Sequence, residues 1–312
     1  MTKNSFWVKT LTMESNYSPD NLLTMRTLLL SFLLLLSAVA SAQSLTPMDG
    51  SWQMVWHDEF DGSGPLNTDV WTPERGFVRN EEDQWYQAEN AYRLDGHLVL
   101  EARLDSIPNP RFRSTADNDW RRNRPYARIS SASVTTARSY SFLYGRMEVR
   151  ARIPAVRGSW PAIWTLGKEG EWPSNGEIDI MEFYHIKGKP HILANAAWGN
   201  DRRYSAVWNS KTVPFTHFTD RDPAWAQQFH VWTMDWTPQY IRIYLDGELL
   251  NDVDLSTTIN GSIGLHQNPF HRPQYILLDL AVGGINGGRP IDAAFPMRYE
   301  IDYVRVWQKS EK

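Results

Sequence analysis

Cysteine is missing altogether from the 312 residues. No disulfide can staple the fold, no thiol nucleophile or cysteine zinc site exists, and no lipid-bearing cysteine can tether the chain to a membrane. Stability has to come from buried area, which a chain of this length can supply. A basic tract is missing too: 32 Lys and Arg against 36 Asp and Glu leave a formal charge of −4. Without a run of cations to neutralise a phosphate backbone, the composition speaks against nucleic acid as a partner. There is no internal repeat, no low-complexity linker and no second composition regime, so one domain is the simplest organisation and a monomer the expected state.

Long apolar runs are scarce, and one of them has a processing signature. Met25-Arg26-Thr27, the run Leu28 to Leu36, and Ala38-Val39-Ala40-Ser41-Ala42 supply the charged start, short apolar stretch and A-x-A site of a secretory signal. Cleavage is expected after Ala42. A membrane-spanning anchor needs about 20 apolar residues, and this run with its small-residue end is shorter. The 24 residues ahead of Met25, with Lys3, Lys9, Glu14 and Asp20, are unusual before such a segment, so Met25 is the expected start. Residues 1–42 are read as extension and signal, and residues 43–312 as the working domain, periplasmic or secreted.

What is abundant is aromatic: 15 Trp, 13 Tyr and 12 Phe. Such a set fills a broad core or lines a groove where flat faces meet flat ligands, and sugars are ligands of that kind. The chain otherwise reads as strand. In Arg146 to Ile153 the residues Met147, Val149, Ala151 and Ile153 alternate with charges, the period-2 pattern of a half-buried strand. Similar runs lie at His97–Arg103, Ser131–Arg138, Phe229–Trp236, Tyr240–Asp246, Tyr275–Val282 and Tyr299–Trp307, with turn signals at Asp95-Gly96 and Asp246-Gly247. Many short strands separated by turns predict an all-β fold, a two-sheet antiparallel sandwich. Two stretches break the pattern and read as long loops: Ile107 to Arg128, with six arginines and Trp120, and Trp198 to Asp222. The first is open to two readings, a solvated surface loop or a wall of a substrate groove.

The chemistry is concentrated in Gly176-Glu177-Ile178-Asp179-Ile180-Met181-Glu182-Phe183. Residues two apart on a strand share a face, so Glu177 and Asp179 point together while Ile178 and Ile180 point into the opposite layer. Strict alternation would put Met181, not Glu182, on the acidic face. If Met181 is the extra residue of a β-bulge, Glu182 is turned back beside the other two. Three like charges on one strand face destabilise a sheet. The pattern therefore reads either as an exposed acidic stripe or as a site whose function requires the acids. Trp160, Trp164 and Trp172 before the motif, and Phe183, Tyr184 and Trp198 after it, favour the site. Glycosidic cleavage needs one carboxylate to attack the anomeric carbon and one protonated carboxyl of raised pKa to release the leaving oxygen. With the bulge, the backbones of Glu177 and Glu182 are four strand steps apart, about 13 Å, which two leaning Glu side chains can largely close. Asp179, between them, is expected to act as helper.

These residues resemble the E-x-D-x-x-E signature of glycoside hydrolase family 16, in the bulged form of its laminarinase-like group. Blocks in the same order extend the resemblance over nearly the whole chain after the signal: Trp56-His57-Asp58-Glu59-Phe60, Asn80-Glu81-Glu82-Asp83-Gln84-Trp85-Tyr86, Tyr144-Gly145-Arg146-Met147-Glu148, Gly158 to Trp164, Leu280 to Gly284 and Tyr299 to Val306. The resemblance implies a jelly-roll, concanavalin-like sandwich with a cleft across its concave sheet. It also implies retaining endo-hydrolysis of a β-1,3- or mixed-linkage β-1,3/1,4-glucan, with no cofactor for catalysis. By the position of the motif it implies Glu177 as the nucleophile and Glu182 as the acid/base. Trp160 and Trp164 match tryptophans that stack on glucosyl rings, Asn80 matches a polar residue near the donor-side subsites, and Trp172 and Trp198 are further expected sugar contacts. Two positions depart from the pattern: the stretch Asn195 to Gly199 lacks a His often found there, and Asp279 stands where Asn is common. Both put the subsite preference in doubt. A sulfated or anhydro galactan of the agar, porphyran or carrageenan type is the alternative substrate, since arginines suit sulfate. By alternation Asp302 falls on a strand buried on both faces and needs a partner. An arginine would serve, and the resemblance implies a structural calcium ion held by Asp302 with carbonyls at Glu59 and Gly96.

Overall fold

The alternating segment at residue 146 forms a strand, Gly145–Arg152, whose Met147, Val149 and Ala151 are fully buried while Arg146, Arg150 and Arg152 stay partly exposed. A computed structural model describes residues 51–310, all within the compact unit Asp49–Lys312. The signal segment and its cleavage point after Ala42 lie outside the described residues. Among these residues no helix is long and apolar enough to cross a membrane.

Among the described residues there are eighteen strands: β1 (Trp52–Asp58), β2 (Gly64–Pro65), β3 (Thr72–Pro73), β4 (Gln84–Tyr86), β5 (Ala91–Leu94), β6 (His97–Pro108), β7 (Tyr126–Ser131), β8 (Ser133–Thr135), β9 (Gly145–Arg152), β10 (Ser159–Gly167), β11 (Glu177–Ile186), β12 (Lys189–Gly199), β13 (Ala206–Pro214), β14 (His230–Trp236), β15 (Tyr240–Leu245), β16 (Glu248–Asp254), β17 (Gln274–Val282) and β18 (Met297–Lys309). They form two sheets. The seven-stranded sheet runs β13-β12-β11-β10-β17-β8-β3. The eleven-stranded one runs β16-β15-β14-β9-β18-β6-β5-β2, with β1 on β18, β7 on β6 and β4 on β7. Every strand pair is antiparallel except β4 with β7. The core lies between the sheets. Ile178, Ile180, Met181 and Phe183 of β11 and Ile192, Ala194, Ala196 and Trp198 of β12 enter it from one side; Trp232, Met234 and Trp236 of β14 with Val304 and Val306 of β18 enter from the other. This is the expected two-sheet sandwich.

Three expectations are corrected by the fold. Ala206–Pro214, read as part of a long loop, is the edge strand β13; both its faces are largely exposed, so its sequence carries no alternation. Trp198, expected at the substrate, belongs to the core and packs edge-on against Phe270. It shares the parity of Ala194 and Ala196, which face inward, whereas Asn195 faces the other way. The Ile107 to Arg128 loop is not a wall of the cleft. Trp120 packs with Phe77 and Trp85, and the guanidinium groups of Arg121 and Arg124 lie over its ring. The loop braces the segment ahead of β4: Arg121 donates to the Val78 carbonyl at 2.7 Å, and Arg124 to those of Glu82 at 2.7 Å and Glu81 at 3.0 Å.

Asp302 also departs from simple alternation. The β18 register against β9 shifts between Ile301 and Tyr303, so Asp302 is an extra residue and is turned outward. Its carboxylate accepts from Arg150 at 2.6 Å, with His97 3.9 Å away. The Glu59 carboxylate is gripped by Arg305 at 2.9 and 2.7 Å, and the Gly96 amide donates to Gly62 at 2.9 Å. Among the described residues no cluster of three or more His, Asp or Glu is arranged for a metal ion. Arginine is the partner the structure gives the Asp302 carboxylate.

Candidate active site

The outward face of the seven-stranded sheet holds a cleft of about 710 Å³. Its floor is the β11 motif. Against β12, Asp179 pairs with Asn195 and Glu182 with Leu193, so two residues, Ile180 and Met181, oppose the single Ala194. Against β10, Met181 pairs with Ile163 and Asp179 with Trp164, again leaving one extra residue. The bulge spans Ile180 and Met181. Both enter the core, and Glu182 is turned to the same cleft as Glu177 and Asp179. Glu177 and Glu182 stand opposite Leu166 and Ala162 of β10, four steps apart.

Each acid has its own donor. Trp172 Nε1 donates to Glu177 Oε2 at 2.7 Å, and Trp160 Nε1 to Glu182 Oε1 at 2.8 Å. Asn195 Nδ2 donates to Glu182 Oε2 at 2.8 Å and reaches Asp179 Oδ2 at 3.3 Å. Burial in the cleft floor raises all three carboxyls. Glu177 and Glu182 are pushed up to about 7, and Asp179, which also faces the charges of Glu177 and Glu182, goes well above its usual range. A hydrogen bond shared by Asp179 and Glu177 raises Asp179 and lowers Glu177, favouring the ionised form of Glu177. One ionised and one protonated carboxyl can coexist here near neutral pH.

Beside β11, the β10 and β17 half of the cleft is wired by a second polar group. Trp164 Nε1 donates to Asp279 Oδ1 at 2.6 Å, and the Tyr86 hydroxyl to Asp279 Oδ2 at 3.1 Å. Arg79 pairs with Glu74 and lies 5.1 Å over the Trp164 ring. Glu82 accepts from Gln84 at 2.7 Å and from Asn80 at 3.3 Å. Burial raises Glu82 to about 7 and Asp279 to about 6, each moderated by the Arg79 charge.

The structure thus brings Glu177, Asp179, Glu182, Trp160, Trp164, Trp172 and Asn80 into one cleft and leaves out Trp198, Glu59, Gly96 and Asp302. Sequence reasoning missed Arg79, Glu82, Tyr204, Trp208 and Ser210, which also line it. Arg79 and Glu82 sit in irregular backbone just ahead of β4, where no periodicity marks a face. Trp208 and Ser210 were hidden by the loop reading of β13, although a period-2 check from Ala206 would have aligned them.

Comparison with known proteins supports one reading. The model of glycosyl hydrolases family 16 matches residues 81–305. A beta-glucanase of Rhodothermus marinus is 32% identical over 269 residues, covering 82% of this chain and 85% of that protein. A solved structure described under endo-acting O-glycanases of the human gut microbiota that initiate mucin breakdown is 34% identical, with a TM-score of 0.73, over 85% of this chain and 95% of that one. The laminarinase catalytic domain of Thermotoga maritima is 29% identical, with a TM-score of 0.66, over 84% of this chain and all of that chain.

Proposed function

Because the chain belongs to glycosyl hydrolase family 16, with the family's jelly-roll sandwich, we propose that Glu177 and Glu182 perform a retaining double displacement on an internal linkage of a β-1,3- or mixed-linkage β-1,3/1,4-glucan. The observation that carries the mechanism is the bulge, which turns Glu182 into the open cleft that Glu177 and Asp179 already face, bringing together two half-buried glutamates of raised pKa.

Ionised Glu177 attacks the anomeric carbon while Glu182 transfers its proton to the departing glycosidic oxygen. Trp172 and the hydrogen bond with Asp179 hold Glu177 in its ionised form and aim it. In the second half, Glu182, now a carboxylate, takes a proton from water, which attacks the same carbon and releases Glu177. Trp160 and Asn195 fix both Glu182 oxygens in both stages. Two carboxyls complete the cycle, so the scheme requires no cofactor. Trp160, Trp164, Trp172 and Asn80, which line the cleft, are the proposed sugar contacts. We further infer export by the segment ending at Ala42, without a membrane anchor, and action as a monomer.

The sulfated-galactan alternative drew on the arginine loop, and that loop braces the segment ahead of β4 instead of facing the cleft. The test is hydrolysis of laminarin, lichenan, barley-type β-glucan, agarose, porphyran and mucin O-glycans, with the product anomer followed by proton NMR. Cleavage of the glucans with retained configuration is expected. Inversion would overturn the mechanism, and cleavage of only the galactans or mucin glycans would overturn the substrate.

A further inference from the structure

We propose that Trp208 and Tyr204 form a sugar-stacking subsite on the β13 side of the cleft, gripping a glucosyl unit of the substrate away from the scissile bond. It rests on the hydrolase reading above and assigns a binding role to residues outside the acidic motif. The sheet register places it. Glu177 of β11 stands opposite Ala197 of β12, and Ala197 stands opposite Trp208 of β13. The three residues form one cross-strand row with their side chains on one face. Trp208 is therefore level with the nucleophile, about 10 Å away at ~4.8 Å per strand, and only the Ala197 methyl group lies between them. The next row, Asp179, Asn195 and Ser210, adds a hydroxyl at the same distance.

Trp208 is 46% exposed and Tyr204 is 61% exposed, yet both line the cleft that holds the acids. The Trp208 ring contacts no other aromatic ring among the described residues, and its N–H has no partner there, unlike Trp160, Trp164 and Trp172, whose N–H groups are all taken by carboxylates. An apolar face left open beside a floor of small side chains is the complement of a flat pyranose ring. Tyr204 is not loose: its hydroxyl donates to Glu171, and Arg203 clasps the same carboxylate at 2.7 and 2.9 Å while lying 5.2 Å over the Tyr204 ring. The next residue after Glu171 is Trp172, the donor to Glu177. The subsite and the nucleophile are thus held by adjacent residues of one segment.

The test measures kcat/KM for a ladder of β-glucan oligosaccharides on the parent enzyme, Trp208→Ala, Trp208→Phe and Tyr204→Ala. In the parent, kcat/KM rises with chain length. With Trp208→Ala the rise flattens about tenfold, chiefly through KM, Trp208→Phe restores most of it, and the pH profile keeps its shape. An undiminished rise in the alanine variants, or a loss equal at every length, would overturn the subsite. If the parent cleaves no β-glucan, the glucan reading of the substrate has failed instead. As a check independent of turnover, laminari-oligosaccharide quenches the tryptophan fluorescence of Glu182→Gln, and the added Trp208→Phe change removes part of the quench. An identical quench in the two proteins also overturns the proposal.

Discussion

The two outward faces of the sandwich use the same strand alternation and treat charge in opposite ways. On the eleven-stranded sheet nearly every acid is matched by a guanidinium: Arg146 with Asp235, Arg150 with Asp302, Arg152 with Glu300, Arg305 with Glu59, and Arg298 with Glu101. On the seven-stranded sheet Glu177, Asp179 and Glu182 meet indole and amide donors, and no arginine pairs with them. Of the arginine-paired acids, Glu59 and Glu101 have their pKa lowered by the side chains that donate to them. Acids given only neutral donors and a buried floor are held where they can trade protons. The first arrangement makes a quiet surface, and the second makes a site.

The comparison breaks first at the acids. Glu177→Gln and Glu182→Gln should each lower kcat by about 10³-fold or more with little change in thermal midpoint, measured by reducing-sugar release and calorimetry. A residual rate within tenfold of the parent would end the assignment of roles. Asp179→Ala should lower kcat by about 10²-fold and move the acid limb of the kcat/KM profile to higher pH. The sign follows from the hydrogen bond that Asp179 shares with Glu177: without it the ionised nucleophile is less favoured, its pKa rises further, and more base is needed to form it. Asp179→Asn keeps a donor and should leave the limb near its original place.

Glu148 sharpens the contrast from the other face, as an acid on the arginine-rich sheet that lacks a hydrogen bond. Both its carboxyl oxygens are buried without a partner, and burial raises it to about 7 despite Arg146 and Arg305 nearby. Between the ordinary carboxylate range and pH 7 the unfolded chain has lost this proton while the folded chain keeps it, so stability falls as pH rises through that window. Glu148→Gln should flatten the decline and raise stability at pH 8 by about 1–2 kcal/mol, less than the full shift implies because the buried amide is left without a partner as well. Equal slopes of the unfolding free energy against pH in the two proteins would refute it. The smallest effect is expected at Asp302→Asn, within about 1 kcal/mol of the parent and with unchanged turnover. Chelation by EDTA should shift the midpoint no further. A large loss on chelation would restore a metal ion to Asp302.

What was legible in the sequence follows a physical divide. Parity arithmetic found the half-buried strands and the need for a bulge before Glu182, because buried and exposed positions impose opposite residue types there. It failed at β13, where an edge strand exposed on both faces imposes none. It failed at Asp302 because the extra residue in β18 leaves no trace when a partly exposed acid with an arginine neighbour is acceptable on the outer face. Trp198 was misplaced by counting aromatics near the motif without counting steps along β12. Arg79 could not have been placed at all: only the folded chain brings residue 79 over residue 164 and within range of residue 279.

The bulge has a further consequence when its length is considered instead of its direction. A strand with Met181 deleted would read Glu-Ile-Asp-Ile-Glu, and its last glutamate would reach the cleft face by plain alternation. The same acid can therefore be presented by two chain lengths. The longer version adds one more hydrophobic side chain beneath the site and a kink in the strand that carries it. A Met181 deletion is thus a frame-neutral edit, whereas deletion of Ile178 also leaves Glu182 on the cleft face by plain alternation but turns Asp179 into the core. Hydrolysis by the first variant and silence from the second would show that the strand tolerates a change of length here but not a change of phase at Asp179.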